Sequence, residues 1–261
     1  MEHAIETSGL KKTFGDIAAV NGLDLQVRTG TLFGFLGPNG AGKSTTIKVL
    51  TGLLAQTAGR ARVLGHDIGK EPVEVKRKIG VVPEELVLFD RLTGEEYLRF
   101  VGRMYGLAAG DIRLRTAELL ELMELPTDRK KLIVDYSHGM KKKLAFSAAV
   151  IHQPQLLFLD EPFEGIDAIA SRMIKDLMRT LLANGVTIFL TSHILEIVEK
   201  LCSDIAIIHQ GKLVAQGSLD ELQLGVALPD REQRRTATLE EIFLNLIDRD
   251  DAPRSTLSWL G

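Results

Sequence analysis

Residues 37–44 read Gly37-Pro38-Asn39-Gly40-Ala41-Gly42-Lys43-Ser44 and fit the pattern G-x-x-x-x-G-K-[ST] in full. The residue types follow from one task, holding a chain of phosphates with main-chain N–H groups. Those groups converge only where side chains are absent, and glycine also permits positive φ. The start of a following helix adds free N–H groups and the positive end of a dipole. Lys43 reaches the β and γ phosphates, the Ser44 hydroxyl is placed for Mg²⁺, and Thr45 continues the first helical turn. The accidental alternative is a glycine-rich turn, which matches in about one chain per hundred given glycine near 7% of residues. Context makes accident rarer still. The stretch lies between an apolar strand at Thr31–Leu36 and a helix at Lys43–Leu54, with Ile47, Leu50 and Leu54 at helical spacing.

Outward from this loop, Leu156-Leu157-Phe158-Leu159 is wholly apolar and is followed at once by Asp160-Glu161. Two carboxylates after a buried run are costly in a core but suit the carboxyl end of a central parallel strand. Asp160 is expected to hold Mg²⁺, and Glu161 to polarise an attacking water as general base. About 115 residues separate Lys43 from Asp160, and no Asn-Lys-x-Asp for guanine is present, so adenine is the expected base.

The early chain is β-rich: Leu23, Leu25 and Val27 alternate with polar residues, and strands are expected at Ala61–Leu64 and Ile79–Val82. Thr93-Gly94-Glu95-Glu96 is a capping box, opening a helical lobe over about 93–150. Its second helix is expected to show Leu114, Ala117, Leu120 and Met123 on one face, and a third follows Ser137. Strand Leu156–Leu159, helix Ala168–Leu182, strand Val186–Leu190 and helix Ile194–Leu201 then alternate as βαβ units, giving a mostly parallel sheet. Gln210-Gly211 marks a closing hairpin, and Ser218–Glu221 and Thr238–Glu241 each cap a short helix. The expected division is 1–220 for the main domain and 221–261 for a helical extension, with Asp230–Arg235 a solvated connector.

Across 261 residues, 45% hydrophobic content is ample for a core, and a net charge of -3 gives no basic field for nucleic acid. The single cysteine, Cys202, excludes a disulfide framework and reads as core. No apolar run approaches the roughly 18–20 residues of a membrane span, and no secretory leader opens the chain. A cytosolic protein is expected, with any membrane role exercised through a partner.

From Ile5 to about Gly217 these ordered elements resemble the nucleotide-binding subunits of ABC (ATP-binding cassette) transporters. Tyr136-Ser137-His138-Gly139-Met140 is similar to the family signature, some twenty residues before the acidic pair. Taken alone, Ser-x-Gly followed by Lys141-Lys142-Lys143 also fits a capped basic helix. The resemblance implies that Ser137 and Gly139 cap the γ-phosphate held by a second copy, that Asp167 in Glu164-Gly165-Ile166-Asp167 communicates across the dimer, and that His193 in Thr191-Ser192-His193 senses the γ-phosphate. Phe14 matches the aromatic that stacks on adenine, against the simpler reading of a core phenylalanine.

The implied fold is α/β: a P-loop NTPase core with a mostly parallel sheet, an N-terminal antiparallel β-subdomain and the inserted lobe. The implied function is ATP hydrolysis by a head-to-tail homodimer with Mg²⁺, beneath a separate integral-membrane permease at the cytoplasmic face. A soluble ATPase of the same fold, in translation or DNA maintenance, is the rival, as is a module that senses ATP without hydrolysing it. Three departures stand out. Glu84, in Pro83-Glu84-Glu85, occupies the place of the family's usual glutamine as a metal or water ligand, and His138 and Met140 replace the commoner signature residues. The signature, the Pro-Glu-Glu loop and Thr238-Leu239-Glu240-Glu241-Ile242-Phe243 are similar to the exporter subgroup.

Overall fold

The computed structural model describes residues 2–128, 131–225 and 237–247. Its centre is a six-stranded sheet whose middle strands are apolar because both faces are covered. Strands β4 (Leu32–Leu36), β8 (Leu156–Asp160) and β9 (Thr187–Ser192) are buried at every residue. With β7 (Ile79–Val82), β10 (Asp204–His209) and β11 (Lys212–Gly217) they form the order β11-β10-β4-β9-β8-β7. All neighbours are parallel except the closing β10–β11 hairpin. Phe189 sits at the middle of this sheet, its ring 5.6 Å from Phe33, 5.3 Å from Phe35 and 5.5 Å from Phe158.

The N-terminal strands make a second, antiparallel sheet. β1 (His3–Phe14) pairs with β2 (Ile17–Leu23), with β3 (Gln26–Arg28) and with β5 (Ala58–Val63), and β6 (His66–Asp67) closes the edge. The alternation at Leu23, Leu25 and Val27 is real, and all three are buried. The run nevertheless breaks into two strands, and Asp24 in the gap accepts a 2.6 Å bond from the Gly9 N–H.

Between β7 and β8 lies the helical lobe: α3 (Gly94–Met104), α4 (Ala109–Leu122) and α5 (His138–Val150). The Thr93 capping box is formed, with the Glu96 carboxylate accepting from the Thr93 N–H and the Thr93 hydroxyl accepting from the Glu96 N–H. Helix α5 is the spine of the molecule, buried continuously from Lys142 to Val150 between lobe and sheet.

Two expectations need correction, and one helix is an addition. Helix α1 is Lys43–Leu50, not Lys43–Leu54, because Gly52 takes φ 68° and turns the chain out of the helix. The buried face of α4 is Ile112, Thr116 and Leu120, continued by Met123; Leu120 and Met123 lie on the expected face, whereas Leu114 and Ala117 point outward and Ile112 and Thr116 take their place. A helix not foreseen, α2 (Pro72–Lys78), precedes β7, with Pro72 at its first turn and Lys76, Arg77 and Lys78 in its last.

Helix α6 (Ala168–Ala183) covers β9 and packs on α5, and α7 (Leu195–Leu201) covers β4 and β9. Both C-terminal capping boxes are made, at Ser218–Glu221 and Thr238–Glu241. They open α8 (Leu219–Gly225) and α9 (Leu239–Ile247), whose Leu222, Leu239 and Ile242 join Val198 and Ile205 in one apolar cluster. The expected connector at Asp230–Arg235 lies outside the described residues. Cys202 packs against Gly34 in that neighbourhood, and burial pushes its thiol above the usual range, as a core cysteine requires. Phe189→Ala is expected to lower the unfolding free energy by about 3–5 kcal/mol in a denaturant titration, the cost of deleting a fully buried ring.

Candidate functional site

The loop from Gly37 to Gly42 joins the carboxyl end of β4 to the amino end of α1, where the sheet leaves a crevice. Glycine is obligatory at two places in it. A Cβ at Gly37 would collide with the Ile208 carbonyl, and one at Gly42, which has φ 105°, would collide with the Ala19 carbonyl. The loop is also tied down from behind. The Gly211 N–H donates to the Ala41 carbonyl at 3.0 Å, and the Asn21 N–H donates to the Gly211 carbonyl at 2.8 Å. The hairpin turn of the large sheet and a strand of the small one thus grip the cradle together.

In front of the loop is a cleft of about 370 Å³. Pro38, Asn39, Gly40, Gly42, Lys43, Ser44 and Thr45 line one wall; Ala19, Glu84, Glu161, Glu164 and His193 supply the rest. Gly37 and Ala41 are buried behind the wall and shape it. The Lys43 ammonium donates to the Gly37 carbonyl at 2.7 Å and the Pro38 carbonyl at 3.3 Å, and lies 3.8 Å from a Glu161 carboxylate oxygen. The Ser44 hydroxyl is 3.4 Å from the Glu84 carboxylate.

Asp160 and Glu161 stand together but in different roles. Asp160, 3% exposed, accepts a 2.6 Å bond from the Thr191 hydroxyl and lies behind the cleft. Glu161 turns into the cleft on a left-handed backbone of φ 46°, a conformation that costs a non-glycine residue about 1–3 kcal/mol and is held by its surroundings. Its N–H donates to Thr191 Oγ1 at 3.1 Å, and its Oε2 lies 2.9 Å from His193 Nδ1 and accepts from the His193 N–H at 3.2 Å. The sheet register explains the arrangement, since Asp160 pairs directly with Thr191 on the neighbouring strand.

Besides Gly37, Ala41 and Asp160, which stand behind the wall, four of the residues singled out in sequence lie away from this cleft. Ser137 caps α5, its hydroxyl accepting from the Met140 N–H at 3.2 Å, and is exposed; Gly139 lies in the first turn of that helix. Asp167 caps α6, accepting from the Ala170 N–H at 2.8 Å. Phe14 ends β1, half exposed, with the Lys12 ammonium 4.9 Å above its ring. It is therefore no core residue. Conversely, Thr191 and Glu164 were quoted only as members of motifs, and Lys142 only as part of a basic run. Thr191 bridges the acidic pair, Glu164 lines the cleft, and Lys142 is buried beneath them. The register that opposes Thr191 to Asp160 was the available signal for the first of these.

A phosphate cradle, a strand-end acidic pair and a histidine at the end of the adjoining strand, on this sheet order, define a P-loop ATPase. The family model described as ABC transporter matches residues 20–164, more than half of the chain, and the chain belongs to that family. It is 42% identical over 218 residues to the linearmycin resistance ATP-binding protein LnrL of Bacillus subtilis (strain 168), covering 84% of this chain and 70% of that one. Likeness to the daunorubicin/doxorubicin resistance ATP-binding protein DrrA of Streptomyces peucetius is 43% over 220 residues, covering 84% and 67%. Among solved structures, an ATP binding subunit of an ABC transporter superposes with a TM-score of 0.85 at 31% identity, over 93% of this chain and 99% of that one. A dimeric ATP-binding cassette in a post-hydrolysis state, bound to ADP and Pi, shares the fold at 21% identity and a TM-score of 0.75, over 82% and 98%. The chain is an ATP-binding subunit of the ABC type and an ATPase.

Gly42→Ala is expected to weaken ATP binding by at least about tenfold, or roughly 1.4 kcal/mol, in a calorimetric titration, because the added methyl displaces the cradle wall.

Proposed function

We propose that this chain powers export through a separate membrane permease, hydrolysing ATP with Mg²⁺ in a head-to-tail dimer of two copies. Each ATP lies between the cradle of one copy and the Ser137 loop of the other. The observation that carries this reading is the outward presentation of Ser137 and Asp167. Both are exposed, both cap helices, and neither reaches the cleft of its own chain. A cradle open on the side of the γ-phosphate is completed by a second set of helix-end N–H groups, and the dipole of α5 favours an anion there. The direction of transport follows from the relatives, whose names include two resistance proteins and a Nod factor export ATP-binding protein of Paraburkholderia xenovorans (strain LB400), 38% identical over 98% of this chain and 85% of its own length.

No helix among the described residues is long and apolar enough to cross a membrane, and this reading gives the membrane path to the permease partner. An apolar groove of about 310 Å³ between lobe and core, lined by Leu86, Val87, Leu88, Tyr97 and Val101, suits a short docking helix from that partner. Val87 at its rim is 88% exposed.

The residues divide the chemistry as follows. On ATP binding, Lys43 exchanges the Gly37 and Pro38 carbonyls for β and γ phosphate oxygens. Ser44 and Glu84 offer hard oxygen donors close together at the cleft, the donor type Mg²⁺ takes, and Asp160 would add a second carboxylate, directly or through water. Bound magnesium neutralises charge on the phosphate oxygens. Glu161 takes a proton from water as the water oxygen attacks the γ-phosphorus; the bond to the bridging oxygen breaks, leaving ADP and phosphate. His193, which now holds Glu161 Oε2, is placed to follow the γ-phosphate and release that carboxylate when it arrives. Phe14, on the outer hairpin, stacks on adenine. Asp167 carries the state of one site across the interface to the other.

Glu161→Gln is expected to lower steady phosphate release by about 10²–10⁴-fold while ATP binding persists and the closed dimer accumulates. Undiminished turnover would remove Glu161 from the role of base. Ser137→Arg should prevent ATP-dependent dimerisation, measured by sedimentation, with single-chain ATP affinity unchanged; a parallel loss of that affinity contradicts the shared site.

A further inference from the structure

The run Lys141-Lys142-Lys143 is not a solvated basic face. Lys141 reaches out to Asp90 at 3.8 Å, whereas Lys143 is 9% exposed and Lys142 only 1%. An ammonium buried to that degree is tolerated only with partners. The Lys142 Nζ donates to the main-chain carbonyl of Glu161 at 2.9 Å, and the carboxylates of Glu164, Asp160, Glu161 and Glu84 surround it electrostatically. Burial lowers its proton affinity, and those four acids oppose the shift.

The bond falls on the residue whose backbone is in the left-handed region, φ 46°. Helix α5 touches the same loop a second time: a Cβ on Gly165 would stand 3.1 Å from the His138 ring. Helix α5 therefore holds this loop at its Glu161 end through Lys142 and leaves no room for a side chain beside His138 at its Gly165 end.

We propose that Lys142 is a positioning residue for hydrolysis. Its bond to the Glu161 carbonyl fixes the strained backbone that aims the carboxylate, and it ties that aim to the helix bearing Ser137. A phosphate seated on Ser137 by the second copy thereby sets the Glu161 of the chain that supplies Ser137. The inference rests on Glu161 acting as base.

The test measures kcat, KM and ATP-dependent dimerisation of the full chain carrying Lys142→Met or Lys142→Gln. Lys142→Met is expected to lose about tenfold to 100-fold in kcat, the scale set by a reacting group misplaced by about 1 Å, with KM and dimerisation within about twofold of the parent. Lys142→Gln, which keeps an N–H donor, recovers kcat to within about threefold. A parental kcat in Lys142→Met overturns the proposal, as does a fall in which KM and dimerisation fail together with kcat. Should Lys142→Met not fold, Lys142→Gln decides: near-parental kcat supports the bond, and a loss as deep as tenfold overturns it. Glu161→Gln run in parallel separates the two ideas. If it hydrolyses ATP normally, the base assignment fails; if it is dead beside a fully active Lys142→Met, only the positioning role fails.

Discussion

The structure depends on a length of main chain with no room to move. Around Gly37 and Gly42 the backbone passes so close to the carbonyls of Ile208 and Ala19 that no side chain fits. The Gly211 N–H holds the Ala41 carbonyl from behind. These contacts join the two sheets, so the N–H groups facing the cleft are fixed before any phosphate arrives. Preorganised donors of this kind need no rearrangement when charge enters, and that is the source of their strength. The antiparallel N-terminal sheet has a similar purpose: it supplies Ala19 and Asn21 to the grip and carries Phe14 on its outer hairpin.

Charge is then arranged around that fixed wall. Asp160 and Glu161 are two carboxylates at the end of a buried strand, each less than a tenth exposed, and their repulsion must be met locally. Thr191 meets it at Asp160, Lys43 and His193 at the Glu161 side chain, and Lys142 at the Glu161 main chain. Two of these partners, Lys43 and His193, face the cleft and are free to turn to a nucleotide. The other two are buried and hold position. The division between groups that exchange partners and groups that stay is what lets one cleft both bind a triphosphate and respond to its loss.

Features governed by local chemistry were legible in the sequence. The cradle, the acidic pair, the capping boxes at Thr93, Ser218 and Thr238 and the sheet strands all rest on contacts within a few residues or on wholly apolar runs. What escaped depends on tertiary neighbours. The face of α4 is legible only in its second half, at Leu120 and Met123, because Leu114 is an exposed leucine, while the buried Thr116 does not announce itself as apolar. Helix α2 is short and charged, with only Val75 buried, so its periodicity is faint. Lys142 is invisible as a buried residue because three successive lysines look alike until the helix is packed, when α5 turns one outward and two inward. The outward placement of Ser137 and Asp167 was implied only by family resemblance, since nothing local distinguishes a helix cap that serves its own chain from one offered to another.

The central claim is that each ATP is held by two chains, and complementation between two defective chains tests it most directly. One carries Lys43→Ala with Ser137 intact; the other carries Ser137→Arg with Lys43 intact. Mixed with ATP and Mg²⁺, the two are predicted to form a heterodimer with one sound site, sedimenting as a pair of chains although neither protein alone dimerises. If the mixture stays monomeric, the cradle and the Ser137 loop do not meet across an interface, and the account of a shared site is wrong.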